Sequence, residues 1–185
     1  MLTEQINQCT KCSLCKTLPE GVMPLAGQGK IGAAFLIVES PTIDNMVLED
    51  YSVTLAQKML EKFLHDSGIK NFYITNAIKC YSDKTYKKKE IVACSSWVTK
   101  ELEEVKPRCI ITFGALALQA IGTKEKLKDI AYQSATYNQT GPNPFSIPIF
   151  FNYSPNFLLQ NSNKKYIEAV TKTRTFLEGL KNEQN

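Results

Sequence analysis

A chain of 185 residues with 43% hydrophobic content is long enough to bury a real core, which excludes wholesale disorder. Its formal net charge of +4 permits but does not demand a nucleic-acid partner; the charge is carried by lysine, with Arg108 and Arg174 the only arginines, so phosphate contacts would be point charges rather than bidentate forks. No apolar run is as long as a membrane span, and the N-terminal MLTEQINQCTKC has no basic-then-apolar leader, so an intracellular, cytoplasmic protein without membrane contact is expected.

In chain order, residues 1–18 carry Cys9, Cys12 and Cys15 with little periodicity. Inside the cell such cysteines are more often metal ligands than disulfides. The Pro- and Gly-rich Pro19–Ile31 reads as loop. AAFLIV (Ala33–Val38) is a short continuous apolar run that fits a buried parallel strand, and it ends in the polar turn Glu39-Ser40-Pro41-Thr42. From Ser52 to Ser67 the apolar residues recur at helical spacing until Gly68. Phe72–Ile78 is a second strand. Cys94–Val105 is a second helix, cut off by Lys106-Pro107. Cys109–Phe113 is a third strand, and Gly114 opens another helix, ALALQAIG. Residues 123–144 are polar and irregular. Ile147–Phe151 is a fourth strand, and Lys164–Lys181 closes the chain as an amphipathic helix. This alternation predicts an α/β fold, a three-layer α/β/α sandwich with a central, mostly parallel four-stranded sheet, as a single domain over residues 1–185.

In such sheets the site lies at the carboxyl ends of the strands. Glu39 there can orient or activate a water, or be a solvated loop carboxylate. Asn76, inside an apolar strand, can read a base edge, since one amide offers donor and acceptor, or bond a neighbouring loop. Tyr51 can stack on a base or join the core. Leu158-Leu159 after Ser154-Pro155 can form an apolar wedge or core packing. His65, the only histidine, reads as a surface residue, and Cys109 as core. The stretch Cys80–Cys94, CYSDKTYKKKEIVAC, places Tyr81, Lys84, Tyr86, Lys87, Lys88 and Lys89 between two cysteines. With Cys9 and Cys12 far upstream, the two pairs can fill a four-thiolate site, which suits zinc or an iron–sulfur cluster. A metal-pinned, basic and aromatic loop would face a polyanion.

Taken together these segments resemble the family 4 uracil-DNA glycosylases, the iron–sulfur branch of that superfamily. CTKCSL looks like the paired cluster cysteines, FLIVESP the strand-plus-acidic motif, YITNAIKC the Asn-x-x-Lys-Cys segment, and VACSSW the fourth cysteine. VKPRCIITFGALAL resembles the next strand and helix, and YSPNFLL falls where the family has His-Pro-Ser and apolar residues. The resemblance implies a [4Fe–4S] cluster on Cys9, Cys12, Cys80 and Cys94, with zinc as the alternative and Cys15 spare. It implies DNA as partner, a flipped base read by Asn76, Tyr51, Ser40 and Pro41, and hydrolysis of a uracil-type glycosidic bond served by Glu39. Lys79, Lys84, Lys87, Lys88, Lys89, Pro155, Asn156 and Leu158 would contact DNA. Four positions depart from the family pattern. Val38 and Thr42 replace the glycines of the acidic motif, the stacking phenylalanine falls at Ser52, and the histidine that stabilises the departing base falls at Ser154. A Ser154 hydroxyl or Asn152 would have to replace that histidine. Two functions follow: a divergent glycosylase of weak activity or altered base preference, or an inactive glycosylase-fold DNA- or protein-binding module, such as a replication or processivity accessory factor, with DNA or a replication or repair protein as partner. The chain is expected to be a monomer by default.

Overall fold

The computed structural model describes residues 1–49, 51, 54–83, 85–140 and 144–182. One sheet of six strands forms the centre: β1 (Gln28–Gly29), β2 (Ala34–Val38), β3 (Phe72–Asn76), β4 (Cys109–Phe113), β5 (Ser134–Gln139) and β6 (Phe145–Asn152), in the order β1-β3-β2-β4-β6-β5. The four inner strands are parallel, with Ala34 opposite Phe72 and Cys109, and Ile110 opposite Ile149. Both edge strands are antiparallel and extend the sheet beyond the four strands expected from sequence. They escaped notice because neither carries an apolar run: β1 is two residues long, and β5 reads SATYNQ and is mostly exposed.

Side-chain alternation divides the core between the two faces. Ala34 and Leu36 of β2 face α3 (Leu55–Asp66), α7 (Pro155–Gln160) and α8 (Asn163–Asn182), meeting Phe63, Leu158 and Ala169. Phe35 and Ile37 point the other way, onto Val98, Leu102 and Val105 of α4 (Lys88–Val105) and Ala117 and Leu118 of α5 (Ala115–Ala120). Strands covered on both faces must be apolar on both, which is why AAFLIV and CIITF are continuous rather than alternating. Each such fully buried Leu or Ile contributes roughly 1.5–3 kcal/mol.

Further helices frame this body: α1 (Leu2–Asn7), α2 (Ile43–Leu48) and α6 (Leu127–Ile130). The helix expected from Cys94 begins at Lys88, so the lysine run lies at the helix start rather than within a loop. Its first turn is tied by the Glu90 carboxylate, which accepts the Lys87 backbone N–H at 2.8 Å. No described helix is long and apolar enough to cross a membrane. The chain leaves β2 toward β3 on one side and leaves β4 toward β6 on the other. The switch point between β2 and β4 is where a parallel sheet opens a crevice at its carboxyl end.

Candidate active site and cysteine cluster

The crevice holds Glu39. It follows β2, and its Oε1 accepts the Leu116 backbone N–H at 3.2 Å, at the start of α5. Gly114 makes this approach possible. Its φ is +96°, and a Cβ there would lie 2.3 Å from the Glu39 Cδ. Burial raises the Glu39 carboxyl above its ordinary value; N–H groups of Leu116 and Ala115 and the Ser154 hydroxyl pull it back by stabilising the anion. Ser154 caps α7 by accepting the Phe157 N–H at 3.3 Å. Its hydroxyl therefore accepts from the helix on one side and favours the Glu39 anion on the other.

A cavity of about 80 Å³ opens beside these groups, lined among others by Glu39, Ser40, Tyr51, Asn76, Ser154 and Pro155. Asn76, at the end of β3, is 1% exposed, and its Oδ1 accepts no hydrogen bond among the described residues. A buried amide oxygen without a donor costs roughly 1–3 kcal/mol. Such a cost points to an absent partner that supplies an N–H or O–H. Tyr51 is buried on the cavity wall, with its hydroxyl donating to the Ala26 carbonyl at 3.4 Å. Pro41 is buried beneath the turn, and Asn156 is exposed at the rim.

Three expected roles are displaced. Asn152 lies at the end of β6 but turns from the cavity, donating to Thr173 Oγ1 of α8 at 3.2 Å. Lys79 is not on the surface: it is fully buried and paired with Glu101 at 2.6 Å, so it cannot meet phosphate. Leu158 is 2% exposed and packs in the core, because the α7 spacing turns it inward; the exposed member of the pair is Leu159. Lys84 and Ser52 lie outside the described residues. Lys87, Lys88 and Lys89 are exposed at the start of α4. His65 is exposed beside Asp66, and Cys109 is core, as the sequence indicated.

The cysteines converge next to this site. All six are free thiols. Cys80, Cys94, Cys12 and Cys15 pack with Leu14, Ile78 and Ile91. Cys9 sits alongside, its sulfur accepting the Trp97 indole N–H at 3.1 Å and the Lys11 backbone N–H at 3.5 Å. Burial raises the Cys80 thiol far above its ordinary value, and the sulfurs of Cys94, Cys12, Cys9 and Cys15 add to this. Burial likewise pushes Cys94 up to about 11, against a Lys79 backbone N–H that favours its thiolate. No group of His, Cys, Asp and Glu among the described residues is drawn together tightly enough to hold a single metal ion. The donor chemistry nevertheless fits a thiolate-bound centre. Soft sulfurs from distant segments share a water-poor pocket, three N–H groups point at them, and only a cationic centre would offset the cost of ionising them there.

The sequence matches the Uracil DNA glycosylase superfamily over residues 24–178. The chain belongs to that superfamily. It is 26% identical over 171 residues to the type-4 uracil-DNA glycosylase of Saccharolobus solfataricus, covering 87% of this chain and 77% of that protein. The corresponding Thermotoga maritima protein is 25% identical over 187 residues, covering 96% and 94%. The type-4 uracil-DNA glycosylase of Pyrobaculum aerophilum is 30% identical over 138 residues, covering 70% and 69%. The superfamily match begins beyond the N-terminal cysteines, whereas the Thermotoga alignment spans nearly the whole of both chains.

Proposed function

We propose that this protein binds DNA and hydrolyses the glycosidic bond of a flipped uracil or related pyrimidine, slowly. The observation that carries the reading is the open Asn76 Oδ1 in a cavity that also holds Glu39. A uracil ring presents an N–H between two carbonyls, so an Asn amide can accept from the N–H and donate to one carbonyl. Water would add to the sugar C1′ with its proton passing to the Glu39 carboxylate. The C1′–N1 electron pair would leave with the base as an anion.

Slowness follows from the third member. Ser154 is held as the cap of α7 beside Glu39, whose anion it favours, so the serine serves the carboxylate rather than the departing base. A missing donor at such a position costs about 10²–10³ in rate. The same placement supports the alternative of a glycosylase fold retained without chemistry as a DNA- or protein-binding module, such as a replication or processivity accessory factor.

DNA contact is supported by an otherwise unfavourable arrangement. Lys87, Lys88 and Lys89 are exposed at the positive end of an 18-residue helix, where cations weaken the helix by roughly 0.3–1 kcal/mol each. The same positive end favours phosphate. Cys9, Cys12, Cys80 and Cys94 would hold a [4Fe–4S] cluster, or zinc as the alternative. Bound there, the centre would cross-link the N-terminal segment to α4 and hold the lysine-bearing turn.

The test is single-turnover cleavage of uracil-containing single- and double-stranded DNA, with alkali to break abasic sites. Product from the wild type that disappears in Glu39→Ala and Asn76→Ala supports hydrolysis. No product at enzyme excess, with DNA still bound, rejects hydrolysis in favour of the binding module.

A further inference from the structure

Beneath the cavity lies a buried polar node that the proposed chemistry does not use. Lys79 Nζ donates to Glu101 Oε2 at 2.6 Å and to Thr75 Oγ1, and Thr75 Oγ1 donates to the same Glu101 oxygen at 2.8 Å. All three side chains are fully buried. Glu101 Oε1 accepts the Gly27 backbone N–H at 2.8 Å. Two routes lead from the node to the cavity. Thr75 immediately precedes Asn76 on β3, so fixing Thr75 fixes the stretch of backbone from which the amide projects. Ala26, next to Gly27, accepts the Tyr51 hydroxyl. The backbone of Lys79 ties in as well, its carbonyl accepting the Leu25 N–H at 2.7 Å. Gly27 leaves no slack, because a Cβ there would lie 2.5 Å from Tyr73 Cε1.

A buried ion pair is a poor source of stability, since desolvation of both charges consumes most of the attraction, and uncharged replacements of similar volume are often neutral. Its retention under two walls of one cavity calls for another reason. We propose that the Lys79–Glu101 pair is a positioning device for base discrimination: it holds Asn76, which seats the edge that uracil and thymine share, and Tyr51, the cavity wall, in the mutual geometry that leaves no room for the 5-methyl group by which thymine differs. The inference rests on the base-reading role given to Asn76 above. Neither charged group touches the base; each acts through a neighbour.

The double variant Lys79→Met/Glu101→Gln removes both charges while leaving an oxygen for the Gly27 N–H. Thr75→Val, nearly isosteric, cuts the route to Asn76 alone. Affinity is measured for a single-stranded oligonucleotide carrying one 2′-fluoroarabino-uridine, whose glycosidic bond resists hydrolysis, and for its thymine counterpart. The expected result is at least a tenfold fall in the uracil-to-thymine affinity ratio in the double variant and a smaller fall in Thr75→Val. Thymine-oligonucleotide affinity and melting temperature should stay near wild type. A purely structural pair would lower both affinities together with the melting temperature, and that outcome overturns the proposal, as does an undiminished ratio in Thr75→Val should the double variant fail to fold. If the wild type itself shows no uracil preference, the base-reading assignment falls and this role falls with it; an intact ratio in a folded double variant overturns the pair's role alone.

Discussion

The cavity and the cysteine cluster are neighbours built in opposite ways. The cavity takes its groups from the ends of paired strands, so Glu39, Asn76 and Ser154 are placed by the sheet and by short bonds to adjacent backbone. The cluster draws its sulfurs from the short helical turns of the N-terminal segment, a loop and the flank of α4. One site is held by its scaffold, whereas the other, with the proposed centre bound, would hold its scaffold together. Damage to the first should therefore change chemistry with little effect on stability, and damage to the second should do the reverse.

The largest effect is expected from Cys80→Ala combined with Cys94→Ala. Bound metal should be lost and stability should fall by about 3–5 kcal/mol, measured by iron and zinc analysis and by denaturant unfolding. Unchanged stability would erase the contrast between the two sites. Next is Gly114→Ala. Strain at φ +96° costs about 1–3 kcal/mol, and the added methyl displaces Glu39. Cleavage should drop at least tenfold while metal content holds, since the change touches only the scaffolded site.

A pH series sharpens the comparison further. Glu39 binds its proton more tightly in the folded chain than in the unfolded one. Its ionisation therefore opposes folding as pH rises from the ordinary carboxylate value to the raised one. Cleavage should show the opposite trend, rising with pH through the raised value as the base form appears. The acid limb should move toward the ordinary carboxylate range in Ser154→Ala only if burial of Glu39 is relieved. With burial kept, loss of the donated hydroxyl should move that limb to higher pH. The smallest effect is on binding alone: replacing Lys87, Lys88 and Lys89 together with alanine should reduce the salt dependence of single-stranded DNA affinity by a slope of about 2. An unchanged slope would remove the α4 terminus from the interface.

The parallel core was legible because strands buried on both faces are written as uninterrupted apolar runs, and helices α3 and α8 carry the helical period. The edge strands were not, since a polar edge looks like loop. The start of α7 had a usable signal, Ser154 before Pro155, a serine cap followed by proline in the first turn. The start of α4 was hidden by the lysine run, though Glu90, three residues beyond Lys87, marked it. Residue types at the cavity could be nominated from strand ends, but their directions could not. Asn76 and Asn152 both end apolar strands, yet one faces the cavity and the other faces Thr173. Lys79 misleads for a related reason: nothing local reveals that Glu101, a helix away, completes it.

The separation of the cysteines along the chain bears on the order of events during synthesis. Cys9, Cys12 and Cys15 leave the ribosome well before Cys80 and Cys94, and β1, β2 and β3 are encoded between them. Closing so long a loop is entropically costly unless intervening structure shortens the search. Pairing of β2 with β3 supplies that shortening, because it brings the start of the Cys80 turn back beside the end of β2. If the thiols take the centre proposed above, their loading would be a late step that only a chain with half its sheet assembled could complete. A nascent chain that stalls before α4 would carry four unprotected thiols, Cys80 among them, and no α4 to bury them.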